Sequence, residues 1–253
     1  MKVDVAVAGC GPAGASLAYM LSRRGFRVLA VDSSTRLGAK PCGDAVPEAW
    51  FRWVPEVRPE GGEAEPLRGL RVVNGGDVVE ARAPAYALNR EAWLSRLLYC
   101  AAGRGAIIQL GRPAQLLRGV MVVEGLGKVE ADLIVDARGA SHYPLRGSSS
   151  RWGLAYREIL LARGVDDDYM TVYMVDGLDG YLWLTPKGGY ANVGAGVVLP
   201  RRVDLKLWTR WLKLSLGLRH AEVLSAGFGV LPLSGRVVAR VGRVVKLGDS
   251  AGL

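Results

Sequence analysis

The chain has 253 residues and a formal net charge of +9, and charged side chains interrupt its long hydrophobic runs. This length can hold two domains, and no window supplies the ~20 continuous apolar residues that a membrane-spanning helix needs. Three cysteines without a CxxC pair and two histidines, His142 and His220, argue against a structural zinc site, a disulfide framework or a Ser-His-Asp triad. We therefore expect an organic cofactor to supply any chemistry.

The positive charge is scattered along the whole chain. It forms no basic cluster with interleaved aromatic residues, so no nucleic-acid partner is predicted. An anionic membrane surface or a phosphorylated ligand would explain the charge, and so would a surface that is simply rich in arginine. Met1–Ala8 reads as a strand rather than a cleavable leader, which predicts a cytoplasmic protein with peripheral contact to the cytoplasmic membrane face. The oligomeric state is left open.

The first elements indicate a strand–helix–strand unit. Lys2–Ala8 is a predicted strand rich in Val and Ala, and Ala15–Arg24 has helical spacing. Phe26–Val31 is a second predicted strand, which is followed by Asp32. Between the first strand and the helix lies Gly9-Cys10-Gly11-Pro12-Ala13-Gly14, which fits the G-x-G-x-x-G pattern. In that context the pattern predicts a dinucleotide site in a βαβ unit.

Each part of this motif has a physical role. Gly9 permits the tight turn, Gly11 lets a pyrophosphate approach the backbone, and Gly14 permits close packing of helix on strand. Pro12 and Ala13 open the helix, whose free amides and dipole attract phosphate, and Asp32 would accept hydrogen bonds from the adenosine ribose. The alternative is a purely structural glycine turn.

The middle of the chain continues the alternation of strands and helices. A Gly/Pro/Ser-rich loop covers residues 33–47, and an acidic, proline-bearing connection covers residues 55–66. The predicted elements after it are strands at Leu70–Val73 and Val78–Arg82, a helix at Arg90–Arg104, a strand at Ala106–Leu110, a β-meander at Ala114–Val129 and a buried strand at Asp132–Asp136.

Beyond residue 150 the pattern changes to strands with one amphipathic helix at about 205–216, which favours an antiparallel sheet with a helix on it. A final strand, Val244–Leu247, meets Gly248-Asp249. We predict a first domain at 1–145 with an interruption near 45–85, a second at 146–240, and a return strand of the first domain at 241–253.

The glycine motif and these later strand ends together resemble the FAD-dependent flavoproteins that share the fold of p-hydroxybenzoate hydroxylase. The resemblance implies an α/β fold, with an FAD-binding Rossmann-like domain and an antiparallel-sheet substrate domain. It implies that Asp249, after Gly248, lies at the ribitol of FAD and that Gly139 belongs to the cofactor site. It also implies that Arg90 lies near the phosphates or ribose and that Ala114 gives backbone contacts to adenine. The alternative for Arg90 is a surface arginine at a helix start.

Two further stretches are similar to the geranylgeranyl reductases within that class. Lys40-Pro41-Cys42-Gly43-Asp44-Ala45 matches their Cys-Gly loop, and Tyr181-Leu182-Trp183-Leu184-Thr185-Pro186 matches their Y-x-W-x-F-P motif. The resemblance implies that Cys42 is catalytic, that Cys42, Gly43 and Ala45 adjoin the flavin, and that Tyr181, Trp183 and Pro186 bind substrate. The alternatives are a small apolar role for Cys42 and ordinary core packing for the two aromatic residues. Trp208 and Trp211 are interpreted as structural or surface residues.

The sequence departs from that family at three positions and in its length. Thr185 replaces Phe, Asp44 follows Cys-Gly where a small residue is more usual, and Arg138 occupies a position that is often Asp. Members of the family continue beyond Gly248-Asp249 into a helix and a C-terminal region, so the resemblance predicts a C-terminally truncated chain with fewer amides for the flavin.

The resemblance implies an FAD-dependent reductase that hydrogenates C=C bonds in the geranylgeranyl or other polyprenyl chains of membrane lipids or their precursors. The electron donor, whether NAD(P)H, ferredoxin or another, is left open. One alternative is a monooxygenase or halogenase of the same fold that acts on an aromatic or polyketide substrate. Another is a truncated, non-catalytic relative that binds FAD or lipid.

Overall fold

The computed structural model describes residues 1–144, 151–162, 164–165, 168–201, 203–233 and 235–253. The helices are α1 (Pro12–Ser22), α2 (Arg90–Ala102) and α3 (Leu205–Ser215), and short 3-10 turns lie at Glu48–Arg52, Pro55–Val57, Gly61–Glu63, Ala140–His142 and Gly248–Ser250. The strands are β1 (Lys2–Ala8), β2 (Val28–Val31), β3 (Ala45–Pro47), β4 (Ala64–Leu67), β5 (Gly69–Asn74), β6 (Asp77–Ala81), β7 (Ala85–Leu88), β8 (Ile107–Gln109), β9 (Ala114–Leu117), β10 (Val120–Val123), β11 (Gly127–Asp136), β12 (Trp152–Leu161), β13 (Tyr169–Met174), β14 (Gly180–Pro186), β15 (Tyr190–Val198), β16 (Glu222–Pro232), β17 (Arg240–Val241) and β18 (Val244–Lys246).

The chain divides into two compact units, each built from discontinuous segments. The first unit contains Met1–Ala39, Arg90–Ser150 and Leu231–Leu253, and the second contains Lys40–Asn89 and Arg151–Val230. Each unit has its own sheet system, so each is described by itself.

The first unit is a mainly parallel sheet in the order β17-β18-β11-β1-β2-β8, to which β9 and β10 add an antiparallel meander. β1 pairs in parallel with both β2 and β11, so the chain leaves it toward β2 on one side and returns beside it as β11. Most of β1 and all of β2 are buried, which suits strands covered on both faces. Ligands bind such sheets where neighbouring connections diverge beyond the carboxyl ends of the strands, and here that point is the end of β1.

The helix predicted from Ala15 begins earlier, at Pro12, because proline has no amide hydrogen to lose in the first turn of a helix. The second predicted helix begins at Arg90 as expected and ends at Ala102. The predicted strand Ala106–Leu110 corresponds to β8, which pairs in parallel with β2.

The second unit contains a sheet in the order β16-β12-β15-β14-β13-β5-β6 and a smaller sheet, β3-β7-β4. The pairs β12–β15, β14–β15 and β13–β14 are antiparallel as predicted, whereas β5 joins β13 in parallel. α3 packs on one face of this sheet through Leu205 and Leu212, in a core with Leu160, Leu182 and Val193. Among the described residues, no helix is long and apolar enough to cross a membrane.

Candidate functional site

The glycine turn after β1 is held by close backbone packing at two of its three glycines. Gly9 has φ +103°, and a Cβ built there would lie 2.3 Å from the carbonyl oxygen of Ala137. A Cβ at Gly14 would lie 1.9 Å from the carbonyl oxygen of Gly9. Any larger residue would push α1 away from β1 or the turn away from the end of β11, so both glycines are required by packing.

Gly11 is different, because packing within the protein does not explain why this residue is a glycine. Its backbone is extended, with φ −69° and ψ −173°, and no atom lies within 4 Å of a Cβ built there. The open space faces the start of α1, where the first amides of a helix have no intrahelical acceptor. Such a cradle fits a pyrophosphate that must approach the backbone closely, so these residues fit FAD.

Gly248 also reaches this cradle. It has φ +65°, and a Cβ built there would lie 2.9 Å from the Cβ of Ala13 in the first turn of α1. Asp249 follows in the 3-10 turn Gly248–Ser250. The structure therefore brings together the glycine motif and the late Gly-Asp motif, which are separated by more than 230 residues in the sequence.

Asp32 is fixed at the end of β2 by two backbone amides. Its Oδ2 accepts from the Cys10 amide at 2.7 Å and its Oδ1 from the Ser34 amide at 2.8 Å. A carboxylate offers about four acceptor positions, so the side chain can still receive ribose hydroxyls. Burial, and then the Asp32 charge, raise the pKa of Cys10 to about 12, so this thiol stays protonated and serves as a packing residue.

Arg90 is buried at the start of α2, and its Nη2 donates to the carbonyl oxygen of Gly38 at 3.1 Å. The alternative of a surface arginine is therefore wrong. Gly38 has φ +68°, and a Cβ there would lie 3.2 Å from the Glu91 amide nitrogen, so the loop after β2 packs on the first turn of α2. Arg90 holds that loop in place, and its contact with FAD stays a prediction.

A buried ion cluster at the ends of β11 and β18 was missed by sequence reasoning. Asp136 Oδ2 accepts from Lys246 Nζ at 2.6 Å, and its carboxylate also receives Arg138 Nε at 2.9 Å. Arg138 Nη1 donates in turn to the carbonyl oxygen of Ala114 at 3.1 Å. Arg138, a departure from the family pattern, thus links the β9 meander to the end of β11, and it takes up one of the backbone groups predicted to contact adenine.

Two further predicted cofactor residues can be placed. Gly139 follows Arg138 with φ +85° and open space at its Cβ position. A left-handed backbone of this kind favours glycine, and the open space is compatible with a ligand. Ala45 begins β3 in the second unit, where it pairs with Ala87. Their contacts with FAD, like those of Ala114 and Gly43, stay predictions.

In the second unit the Lys40–Ala45 segment, called here the Cys42 loop, lies across one face of the sheet. A Cβ built at Gly227 or Gly229 on β16 would lie about 3 Å from Pro41. The carbonyl oxygen of Cys42 accepts from Asn192 Nδ2 on β15 at 2.7 Å, while the Cys42 residue is exposed. The loop therefore spans from the sheet edge to β15 and leaves the thiol accessible.

Asp44 anchors the end of this loop. Its backbone is left-handed, with φ +62°, and its buried Oδ2 accepts from Lys187 Nζ and from Asn192 Nδ2, each at 2.9 Å. Arg157 Nη1 lies 4.0 Å away and adds a second positive charge. A buried carboxylate is stable only with such partners. Sequence reasoning noted Asp44 only as a departure, and the partners on β12 and β15 could not be identified.

Tyr181 and Trp183 share the sheet face on which the Cys42 loop lies. Trp183 is buried and its Nε1 donates to Asn192 Oδ1 at 3.0 Å, whereas Tyr181 is 44% exposed. The core-packing alternative therefore describes Trp183 but is wrong for Tyr181. Partial burial, and to a smaller extent the electrostatic influence of the neighbouring Cys42, raise the pKa of Tyr181.

Pro186 does not share that face. It pairs with Ala191, which belongs to the core beneath α3, and strand alternation turns Pro186 and Trp183 to opposite sides of β14. We therefore correct the predicted substrate contact of Pro186, because the two-residue period separates it from Tyr181 and Trp183. Thr185 does lie on the Trp183 face and is fully buried opposite Asn192.

Comparison with known proteins agrees with this geometry. Residues 2–47 match the family model for an FAD binding domain. The fold and this match identify an FAD-binding domain of the p-hydroxybenzoate hydroxylase-type fold in the chain. The predicted fold class and cofactor are therefore confirmed.

Within that class the chain is similar to digeranylgeranylglycerophospholipid reductases, in agreement with the resemblance of its motifs. It is 31% identical over 229 residues to a digeranylgeranylglycerophospholipid reductase of Sulfolobus acidocaldarius; the match covers 78% of this chain and 51% of the relative. The chain therefore spans about half the length of that protein.

Two solved structures show the fold. A geranylgeranyl bacteriochlorophyll reductase-like protein of Thermoplasma acidophilum aligns with a TM-score of 0.84 at 20% identity, covering 100% of this chain and 72% of that chain. A variant of the halogenase PltM in complex with FAD aligns with a TM-score of 0.74 at 15% identity, and the alignment covers 100% of this chain and 65% of the halogenase chain. At these identities the likeness establishes the fold alone.

Proposed function

We propose that the chain is an FAD-dependent reductase that adds hydrogen across C=C bonds in the polyprenyl chain of a membrane lipid or lipid precursor. The observation that carries the proposal is the Cys42 loop, which presents an exposed thiol on the sheet face that also carries Tyr181. The named function of the relative from Sulfolobus supports the same reaction class.

The chemical character of that face suits an unactivated alkene. Asn192 and Lys187 direct their polar atoms to the Cys42 loop and to Trp183. Val172 lies opposite Trp183 on the neighbouring strand, and Met174 further along that strand is exposed. An alkene has no carbonyl oxygen to polarise, so apolar contacts that orient the chain and exclude water are what the reaction requires of the protein.

The reaction adds a hydride to one alkene carbon and a proton to the other. Reduced FAD, when bound, supplies the hydride from its N5, and its electrons come from a donor outside the chain. We assign proton delivery to the Sγ–H of the exposed Cys42, whose backbone is held by the hydrogen bond that Asn192 Nδ2 donates to its carbonyl oxygen. Solvent water then returns a proton to the Cys42 thiolate. Tyr181 and Trp183 form the wall against which the polyprenyl chain is oriented.

The test is a single-turnover assay. The FAD-loaded protein is reduced with dithionite and incubated with a geranylgeranyl glycerolipid, and the lipid is analysed by mass spectrometry. Each reduced bond adds two hydrogen atoms, and we expect Cys42→Ser to slow the reaction at least about tenfold. Cys100→Ser, at a half-buried position on α2, is the matched control and should react at the unmodified rate. Unchanged lipid in the presence of bound, reduced FAD would refute the proposal.

The same preparation separates the alternatives. Consumption of NAD(P)H that depends on oxygen and on an aromatic substrate would indicate a monooxygenase or halogenase. Failure to take up FAD at all would indicate a non-catalytic relative.

A further inference from the structure

We infer that the outward surface of α3 docks on an anionic lipid bilayer. α3 is packed on the sheet of the second unit by one side only, through Leu205, Thr209 and Leu212, which are buried. Asp204 caps the helix by accepting from the amides of Lys206 and Leu207, so the helix start is fixed. The helix is therefore a stable element whose other side is available for contact.

That other side is apolar. Leu207, Trp211 and Leu214 are 62%, 48% and 47% exposed, and we call these three residues the outer row. Their i, i+4, i+7 spacing aligns them along one line about 10 Å long, directly opposite the buried side. Trp211 is steadied by an edge contact with the half-buried Trp208, whose ring centroid lies 6.0 Å away. A row of two leucines and a tryptophan parallel to the helix axis is typical of a helix that lies in the plane of a membrane interface.

The charges on α3 select the kind of bilayer. The helix contains Lys206, Arg210 and Lys213 and no carboxylate. Lys213 is bound to Glu158, whereas Arg210 is exposed beside the outer row, and Lys206, also exposed, lies over the rings of Tyr156 and Phe228. Exposed Arg219 follows the helix. Cations that flank an exposed apolar row complement anionic headgroups.

A second pair of exposed aromatic residues shows why charge matters. Trp50 and Trp53 are also strongly exposed, but in their segment the carboxylates of Glu48, Glu56 and Glu60 outnumber the cations of Arg52 and Arg58. Anionic lipid would repel those carboxylates. α3 combines an exposed tryptophan with three basic residues and has no carboxylate between Leu205 and Ser215, and the carboxylate of its cap, Asp204, accepts from the amides of Lys206 and Leu207. We therefore place the docking surface on α3.

The experiment is vesicle flotation of the full chain, so it does not depend on the reductase activity. We expect the chain to float with vesicles of phosphatidylglycerol and phosphatidylcholine, and to float much less with phosphatidylcholine alone or at high salt. The double variant Leu207→Ser, Leu214→Ser and the single variants Trp211→Ser and Arg210→Glu should each weaken binding at least about tenfold. Trp53→Ser is the matched control and should bind as the unmodified chain does.

Other outcomes overturn the inference. Equal loss for Trp53→Ser and Trp211→Ser, or unchanged binding in every α3 variant, would place the contact elsewhere. A second copy on the outer row would appear in light scattering as a dimer that Trp211→Ser dissociates, without vesicle binding. Circular dichroism checks that the serine variants are folded. If they are not, Arg210→Glu and quenching of tryptophan fluorescence by brominated anionic lipid in the unmodified chain still decide the question.

Discussion

Asn192 uses all parts of its side-chain amide. Its Nδ2 donates to the carbonyl oxygen of Cys42 and to Asp44 Oδ2, and its Oδ1 accepts from Trp183 Nε1. One residue on β15 thus fixes both ends of the Cys42–Asp44 segment and the orientation of the buried indole. We therefore regard Asn192 as a positioning residue for the proposed reaction.

Replacing Asn192 by Leu should remove one hydrogen bond each from the Cys42 carbonyl oxygen, Trp183 Nε1 and Asp44 Oδ2, of which Asp44 keeps Lys187. We expect the free energy of unfolding to fall by about 2–3 kcal/mol, since buried polar groups that lose a hydrogen bond are costly. The hydrogenation rate should fall at least about tenfold, as misplacement of a reacting group slows catalysis. FAD affinity should change less than the hydrogenation rate, because the glycine turn, Asp32 and Gly248 lie in the first unit and do not depend on Asn192. Urea unfolding, flavin titration and single-turnover rates measure the three quantities.

The control for this variant is Asn74→Ala, at the exposed end of β5. It should alter none of the three quantities. An Asn192→Leu protein that keeps the full hydrogenation rate would show that the Cys42 loop is not positioned by this amide.

At the scale of elements, the ends of β11 and β18 are joined by the buried contact between Asp136 and Lys246. Burial opposes ionisation of Asp136, but hydrogen bonds from Arg138 and Lys246 outweigh it and lower its pKa below 3.8. Asp136 therefore binds a proton more readily in the unfolded chain. Its contribution to stability is present above about pH 3.8 and is lost as the pH falls through its lowered folded pKa.

Lys246→Met should consequently destabilise the protein by about 3 kcal/mol near neutral pH, since it removes one partner of a buried ion pair. The difference from the unmodified chain should shrink in strongly acidic solution, where Asp136 becomes protonated. Lys128→Met, at an exposed position of β11, provides the control. A destabilisation that is the same at neutral and acidic pH would mean that Lys246 acts by packing alone.

The elements that sequence reasoning predicted well are those set by local patterns. Glycine spacing and hydrophobic period predict the βαβ unit around Gly9–Gly14, the start of α2 at Arg90 and most strands of the larger sheet in the second unit. The parallel pairing of β5 with β13 was not predictable, because the partner strand lies about 100 residues away and no local signal selects it. The same holds for Asp44, whose partner Lys187 is 143 residues distant.

The direction of side chains was the other feature that could not be predicted from the sequence. Pro186 was predicted to contact substrate together with Trp183, but an odd spacing on a strand puts the two on opposite faces. Trp211 was interpreted only as structural or surface, since a sequence does not show which side of an amphipathic helix is covered. The exposed outer row of α3 became visible only with the sheet beneath it.

At the scale of the whole molecule, the two units carry different parts of the proposed function. The first unit is an FAD-binding unit whose glycine turn, Asp32 and Gly248 converge at the start of α1. The second unit carries the Cys42 loop, the aromatic sheet face and the outer row of α3. The chain leaves the first unit after Ala39 and again between β11 and β12, so neither unit is a continuous segment of the sequence.

The central claim is that the open space at Gly11 receives the pyrophosphate of FAD, and a flavin titration of Gly11→Ala tests it most directly. A methyl group fits at Gly11 without strain in the protein itself, so the variant should unfold at the same temperature as the unmodified chain. It should bind FAD at least about tenfold more weakly, because the methyl group occupies the cradle. Gly76→Ala, equally open and in the second unit, should bind FAD normally. A Gly11→Ala protein with unchanged FAD affinity would contradict the account.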